Sequence, residues 1–243
     1  MTSHLLDVDG LTKAFGALVA VNDVTFSVRQ GEVLGIAGPN GSGKSTLFNL
    51  ISRIPFGADS GRVLLNGERI DRLADHRITR LGLIRTFQRE AVFQSMSCVD
   101  NILVAIEQTL GTRGKAAEKL ADAASERVGF PRNFHNMPAA GLPVFYQKQL
   151  MMATAVAQQP KILLLDEPAS SLVEHEIDWM RETIRALNQE GVTILLIEHV
   201  LPLLMSVSDR LLVMEQGRVI ALGDPVDVTR DPAVIEAYLG RPA

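Results

Sequence analysis

The residues whose types and spacing most clearly indicate a chemical function form a glycine-rich stretch in the N-terminal part of the chain. It fits the phosphate-binding pattern G-x-x-x-x-G-K-[ST] and consists of Gly38, Pro39, Asn40, Gly41, Ser42, Gly43, Lys44, Ser45 and Thr46. Glycines allow positive φ angles and close approach of the backbone to a ligand. The N–H groups of such a loop, together with the following helix N-terminus, attract anionic oxygen. Lys44 would reach the β- and γ-phosphates of a nucleotide, and the Ser45 hydroxyl would bind Mg²⁺.

The flanking sequence supplies the structural setting that this motif requires. Residues 32–37 (EVLGIA) are typical of a short buried strand, and residues 46–51 (TLFNLI) are typical of the first turns of a helix. The alternative is a glycine-rich turn before an ordinary helix. The order of strand, loop and helix favours the phosphate site.

A pair of acids ends a short continuous apolar run. Residues 161–168 (KILLLDEP) predict a parallel strand that is buried on both faces and ends at Asp166 and Glu167. Ligands of α/β sheets bind at the carboxyl ends of the strands. Asp166 is therefore a candidate partner for Mg²⁺, directly or through water, and Glu167 is a candidate to orient or deprotonate an attacking water. A helix-capping acidic pair is the alternative, which the upstream phosphate loop disfavours.

A histidine follows the next predicted strand. Residues 192–197 (VTILLI) indicate a second buried strand, and Glu198 and His199 come directly after it. His199 could be an ordinary surface residue. Its place one strand after the acidic pair puts it within possible reach of a γ-phosphate, so it joins the candidate site.

The elements that position these residues predict an α/β fold with three parts. Residues 5–36 look β-rich, with strands at Leu18–Val21 and Val24–Val28 separated by a turn at Asn22-Asp23. A hairpin with an Asn-Gly turn follows near residue 66, so an antiparallel β layer should flank a mainly parallel sheet. Ala-, Glu- and Lys-rich sequence indicates a helical insert over about residues 89–158.

Composition bounds the class of protein. The 243 residues carry a formal net charge of −4 without a basic stripe, which argues against a nucleic-acid partner. The lone Cys98 excludes an internal disulfide and suits a reducing compartment. No apolar run approaches the ~18 residues of a membrane span, and the start MTSHLLDVDG does not resemble a signal peptide. We therefore expect a cytosolic protein that meets a membrane only through a partner.

Taken together, the phosphate loop, Gln88, the acid-terminated strand and His199 resemble the ATP-binding subunit of an ABC transporter over nearly the whole chain. The resemblance is closest to the ATPases of branched-chain amino acid importers and of their relatives for urea, amides and aromatic acids. The stretches that carry this closer match are Phe15–Val24, Arg85–Gln88, Leu195–Val200, Ser208–Gly217 and Ala237–Gly240.

This resemblance implies a single ABC-type domain over residues 1–243, with a P-loop NTPase core and the cofactors ATP and Mg²⁺. It implies that Phe15 stacks on adenine and that Gln88 senses both Mg²⁺ and the attacking water. It also implies that His199 holds the γ-phosphate and that Glu167 polarises the water. The implied partners are a second ABC ATPase, two transmembrane permease subunits and, indirectly, a solute-binding protein. The chain would then sit on the inner face of the cell membrane through the permease.

One part departs from the family pattern. The signature, Leu-Ser-x-Gly-Gln, falls on Leu142–Tyr146, where Pro143 replaces Ser, Phe145 replaces Gly and Tyr146 replaces the first Gln. Val173 stands where the family usually has Asp or Asn. In the family these segments serve ATP bound to the other subunit, so the departures favour a heterodimer and low activity of the isolated chain. A displaced signature or a substituting neighbour is the alternative.

Two rival functions remain, and one further surface is predicted. The chain could be a nucleotide-binding regulatory subunit that hydrolyses poorly, or a soluble ABC ATPase unconnected with transport. The segment Arg89–Met96 is predicted to meet the permease through Phe93 and Met96, because interfaces favour such apolar anchors. A core position for Phe93 is the alternative. The identity of the solute depends on the permease and the binding protein, and import is implied by the resemblance alone.

Overall fold

The computed structural model describes residues 4–86 and 92–239. Within these ranges the strands are β1 His4–Phe15, β2 Leu18–Arg29, β3 Val33–Ala37, β4 Ser60–Leu65, β5 Glu68–Arg69, β6 Leu83–Arg85, β7 Ile162–Asp166, β8 Thr193–Ile197, β9 Arg210–Glu215 and β10 Arg218–Gly223. The helices are α1 Lys44–Ser52, α2 Asp75–Arg80, α3 Cys98–Leu110, α4 Lys115–Val128, α5 Val144–Ala157, α6 Glu174–Gln189, α7 Leu201–Val207, α8 Pro225–Thr229 and α9 Pro232–Leu239.

A six-stranded sheet in the order β10-β9-β3-β8-β7-β6 forms the centre of the fold. The pairs β9-β3, β3-β8, β8-β7 and β7-β6 are parallel, and β10 joins the edge antiparallel to β9. Because parallel strands end at the same edge, the segments that follow β3, β7 and β8 lie side by side. The predicted α/β fold with a mainly parallel sheet is confirmed.

Successive side chains of the central strands point to opposite faces of this sheet, so the sheet separates two hydrophobic cores. Val33 and Leu163 belong to a core shared with α3, α4, α5 and α6, whereas Leu34 and Leu164 belong to a core shared with α1 and the antiparallel strands. All residues of β3, β7 and β8 are buried. Burial on both faces explains why these strands read as continuous apolar runs.

A four-stranded antiparallel sheet, in the order β2-β1-β4-β5, makes the predicted antiparallel layer. The expectation of two strands separated by a turn at Asn22-Asp23 is wrong, because β2 runs without interruption from Leu18 to Arg29. Asp23 has φ 56°, and its N–H donates to Thr12 Oγ1 over 3.1 Å. The Asn-Asp pair therefore marks a local irregularity in the pairing with β1 rather than a chain reversal.

Three helices, α3, α4 and α5, lie between β6 and β7 and pack against one another. Their shared core contains Ile102, Ala121 and Leu150, each fully buried. Across the described parts of the chain, none of the helices combines the length and apolarity that a bilayer crossing requires.

Candidate nucleotide site

The predicted phosphate loop connects β3 to α1 and is held tightly at its two ends. Gly38 has φ 142°, and a Cβ there would lie 2.1 Å from the Met214 carbonyl oxygen. Gly43 has φ 102°, and a Cβ there would lie 2.3 Å from the Ala20 carbonyl oxygen. Neither position can accept a side chain without backbone movement, so glycine is required at both. The loop opens directly into the N-terminus of α1, as the motif requires.

Lys44 lies across the loop. Its Nζ donates to the carbonyl oxygens of Gly38, over 2.7 Å, and Pro39, over 3.0 Å. Burial lowers the pKa of the Lys44 ammonium, and the carboxylates of Glu167 and Asp166 act in the opposite direction. The loop therefore contains a desolvated cation whose interaction with an anion would be strengthened by its surroundings.

Asp166 ends β7 inside the protein. Its Oδ2 pairs with the Arg85 guanidinium over 2.9 Å, and that guanidinium also donates to Asn49 Oδ1 over 2.7 Å. Burial raises the pKa of the Asp166 carboxyl, while the ion pair with Arg85 opposes the rise. Among the described residues, Asp166 Oδ1 is buried and has no hydrogen-bond partner. That oxygen is suited to a cation or its bound water.

Glu167 and His199 meet at the ends of β7 and β8. His199 Nε2 and Glu167 Oε1 are 2.9 Å apart. Glu167 has φ 50°, which is uncommon for a residue with a side chain, and its N–H donates to the Ile197 carbonyl over 2.9 Å. Backbone strain of this kind occurs at functional sites, where the surrounding structure holds it in place.

Two charged residues that support the site were not predicted as site residues. Arg85 fixes one oxygen of Asp166, as described above. Glu198 is buried, and its carboxylate accepts the N–H groups of Ala169 at 2.6 Å and His199 at 3.1 Å. It thus ties the segment after Glu167 to the segment that carries His199. The sequence signal for both is an ionisable residue at the end of a buried strand. An unpaired charge is costly there, so such a residue is expected to have a partner.

Most of the predicted site residues line a cleft of about 670 Å³. It is lined by Asn40–Thr46 of the phosphate loop, by Glu167 and His199, and by Phe15 at the tip of the β1–β2 hairpin. The Phe15 ring is 44% exposed and contacts the Phe56 ring edge-on, with centroids 5.1 Å apart. The cleft therefore has a phosphate-binding end and an exposed aromatic ring at its mouth.

The remaining predicted site residues lie around this cleft or beyond the described ranges. Gly38 and Pro39 form the base of the loop, and Asp166 is buried behind it. Gln88, predicted to sense Mg²⁺ and water, lies outside the described residues.

The comparison with known protein families decides the class to which this site belongs. The sequence model of the ABC transporter family matches residues 21–170, which is more than half of the chain. The chain belongs to the ABC transporter family. A second family model, described as branched-chain amino acid ATP-binding cassette transporter, matches residues 218–243 of this ABC protein. The ABC ATPases share the activity of binding and hydrolysing ATP, and this chain is one of them.

Two relatives of this ABC ATPase are similar over nearly their full length. The high-affinity branched-chain amino acid transport ATP-binding protein BraF of Pseudomonas aeruginosa is 39% identical, with 99% of each chain covered. LivG of Salmonella typhimurium, which carries the same description, is 38% identical, also with 99% of each chain covered. Among solved structures, the ADP conformation of MJ1267, an ATP-binding cassette of an ABC transporter, superposes with a TM-score of 0.88 at 28% identity. That match covers 98% of this chain and 99% of the other.

The segment predicted to stand in place of the ABC signature begins helix α5. Pro143 is the residue before the helix, and its side chain makes no capping hydrogen bond. The Phe145 ring packs edge-on against Trp179 of α6, with centroids 5.2 Å apart, and the Tyr146 ring packs against Phe134 at 4.6 Å. Both substituted side chains are thus used for packing within this chain. Val144, which lies between Pro143 and Phe145 in sequence, is 50% exposed.

The second departure from the family pattern is also exposed. Val173 precedes α6 and is 54% exposed, and its N–H donates to Glu176 Oε2 over 3.0 Å. An Asp or Asn side chain at this position could accept a hydrogen bond, whereas Val cannot. The two departing segments therefore present apolar rather than polar side chains to the outside of this chain.

Proposed function

We propose that this ABC ATPase is the energy-supplying subunit of an importer for branched-chain amino acids, other amino acids or small amides. The observation that carries the proposal is the cleft in which the phosphate loop, Glu167 and His199 face one another. The solute class rests on relatives that are named branched-chain amino acid transport ATP-binding proteins and match along 99% of the chain. The test of the solute class is a transport assay in proteoliposomes that contain this chain and the permease encoded by the neighbouring gene. Uptake of amino acids is compared with uptake of amides.

Mg-ATP is the proposed ligand of the cleft, and the residues present fit it. Mg²⁺ at nucleotide sites is held by one or two side chains together with phosphate oxygens. The Ser45 hydroxyl and the buried Asp166 Oδ1 provide such side-chain ligands. When bound, Mg²⁺ supplies charge neutralisation at the phosphates.

The chain's own residues would then position and activate the attacking water. Lys44 and the N–H groups of the loop and α1 stabilise the negative charge of the phosphates. Glu167 accepts the proton of the water, and His199 Nε2, when protonated, donates to Glu167 Oε1 and holds that carboxylate in place. Arg85 keeps Asp166 oriented, and Glu198 keeps the Glu167 and His199 segments together.

Replacing Lys44 with Ala is expected to weaken Mg-ATP binding by about 10-fold to 100-fold, because a charge-assisted contact to the phosphates is lost. Isothermal titration with Mg-ATP measures the change. The matched control is Lys119→Ala, since Lys119 is exposed on α4 and lies away from the cleft. Equal affinities of the Lys44→Ala protein and the wild type would show that Lys44 does not hold the nucleotide.

The proposed contact with the permease lies in a second cleft, of about 310 Å³, between the central sheet and the helices α3 and α5. Phe93 lines this cleft and is 59% exposed. Its N–H donates to Asn101 Oδ1 over 2.6 Å and its carbonyl accepts from Asn101 Nδ2 over 3.1 Å. The buried Asn101 thus fixes the backbone of Phe93 while the ring remains accessible. Met96, the second predicted anchor, is partly buried, and residues 89–91 of the predicted segment lie outside the described ranges.

Replacing Phe93 with Asp is expected to abolish most solute transport and to leave ATP hydrolysis nearly unchanged, because a charge would enter an apolar interface that takes no part in the chemistry. Transport in proteoliposomes and ATP hydrolysis by the same preparation measure the two effects. Leu110→Asp is the control, because Leu110 is an exposed apolar residue at the end of α3 and does not line this cleft. Loss of transport and hydrolysis together would mark Phe93 as a core residue instead.

We further propose that the second ATPase subunit is a different chain with an intact signature. The support is that the two groups of site residues differ. The residues expected to act on this chain's own nucleotide are present. The substituted residues, by contrast, lie in segments that in the family contact the nucleotide bound to the other subunit; they are Pro143, Phe145, Tyr146 and Val173. With two permease subunits and, through them, a solute-binding protein, the assembly would hold this chain at the inner face of the membrane. The same departures favour a second candidate, a regulatory subunit that binds nucleotide and hydrolyses it slowly.

A further inference from the structure

The C-terminal helix brings a tyrosine hydroxyl to the phosphate loop. Tyr238 Oη accepts a hydrogen bond from the Gly38 N–H, with 2.7 Å between the two atoms. The two residues are 200 positions apart in the chain. We infer that Tyr238 is a positioning residue for nucleotide binding, which acts through Gly38 on the loop and on Lys44. The inference rests on the phosphate loop being the nucleotide site proposed above.

A small displacement of the Gly38 backbone would change the position of the phosphate loop and of Lys44. A Cβ there would meet the Met214 carbonyl oxygen of β9 at 2.1 Å, so the residue is wedged against the sheet on one side. Its own carbonyl oxygen accepts from Lys44 Nζ over 2.7 Å. Gly38 thus contacts Tyr238 through its N–H group and Lys44 through its carbonyl oxygen. Loss of the tyrosine hydroxyl would free the start of the loop and, with it, the anchor of Lys44.

The helix that carries Tyr238 is docked by other residues. Val234 is buried and belongs to the same core as Ala37 and Val213 of the central sheet. The Tyr238 ring borders a small apolar cavity of about 200 Å³ beside these residues and is itself 44% exposed. Because Val234 provides the buried anchor, the hydroxyl of Tyr238 can be removed without undocking the helix.

The chemistry of the hydroxyl fits this role. Burial raises the pKa of the Tyr238 phenol, and the hydrogen bond from Gly38 acts in the opposite direction. The phenol therefore stays neutral at physiological pH and offers a lone pair to the Gly38 N–H without placing a negative charge next to a phosphate site. The C-terminal segment, residues 218–243, which has its own family model, would thus contribute directly to the nucleotide site.

The test compares Tyr238→Phe with Ile235→Ala. The first variant removes only the hydroxyl, whereas the second trims an apolar side chain that lines the same cavity on the same helix. Mg-ATP affinity is measured by isothermal titration, and the unfolding midpoint is measured without nucleotide. For Tyr238→Phe we expect about 5-fold weaker binding or more, because a backbone N–H loses its acceptor. Its unfolding midpoint should stay within about 2 °C of the wild type.

Two results with these variants would overturn the role of Tyr238 directly. One is a Tyr238→Phe affinity within about twofold of the wild type, a difference too small for a lost hydrogen bond at the loop. The other is an equal loss of affinity in Ile235→Ala, which would assign the effect to helix docking. Lys44→Ala is measured alongside. Wild-type affinity in that variant would reject the phosphate loop itself and the inference with it, whereas weak binding in Lys44→Ala with normal binding in Tyr238→Phe rejects only the role of Tyr238.

Discussion

Replacing Glu167 with Gln is expected to lower the ATP turnover rate by about 10² or more while Mg-ATP affinity stays near the wild-type value. Gln is almost the same size and can still contact His199, but it cannot accept the proton of the attacking water. Glu167 lines the cleft beside the phosphate loop, and its carboxylate lies 2.9 Å from His199 Nε2. The change leaves the phosphate-binding groups intact, so the turnover rate should fall while the affinity for Mg-ATP is kept.

The measurement is phosphate release under saturating Mg-ATP, paired with titration of nucleotide affinity. Glu182→Gln is the matched control, because Glu182 is an exposed glutamate on α6 and does not line the cleft. A Glu167→Gln protein that turns over at the wild-type rate would remove Glu167 from the role of catalytic carboxylate.

We expect a low ATPase rate for the isolated chain, and restoring the family signature is expected to raise that rate by about 10². In a homodimer of this chain, both nucleotides would meet a segment in which Pro143 has neither hydroxyl nor N–H and in which a phenylalanine ring stands where close backbone approach is needed. The combined variant Pro143→Ser, Phe145→Gly and Tyr146→Gln would return the hydroxyl, the small residue and the amide. A preorganised donor at a developing charge is worth about 10²–10³ in rate.

The variant needs two controls, because Phe145 packs against Trp179 and Tyr146 against Phe134. Its unfolding midpoint shows how much stability is lost with these rings, and rates are compared at a temperature where the variant is folded. Adding Glu167→Gln to the restored variant should abolish the gain, since the chemistry would still depend on this chain's own carboxylate. An unchanged rate in the folded, dimeric variant would show that the altered signature does not limit hydrolysis.

The sequence was sufficient for features that depend on local pattern and on the order of elements. The phosphate loop could be placed because glycine spacing, strand and helix occur together within a short stretch. Asp166, Glu167 and His199 could be grouped because both of their strands are apolar throughout, and parallel buried strands end at one edge of the sheet. The closer family resemblance followed from several such stretches in a fixed order.

Contacts between distant residues were beyond the sequence. Arg85 pairs with Asp166 across 81 positions, and Tyr238 reaches Gly38 across 200, so no periodicity or spacing could indicate either contact. The substituted signature could be seen, yet its use as a packing surface against Trp179 could not. Asn22-Asp23 has the composition of a turn, but the chain continues through it as part of β2, with an irregularity in the pairing with β1 instead of a reversal.

The most direct test of the proposed heterodimer compares the ATPase rate of this protein alone with its rate in a complex that contains a second ABC ATPase and the permease. We propose a working nucleotide core in this chain and an intact signature in the partner. The expected result is therefore very low activity for the isolated protein, a rate higher by about 10² or more in the complex, and loss of most of that rate when Glu167 is replaced with Gln. Fast hydrolysis by the isolated protein, with no second ATPase present, would contradict it.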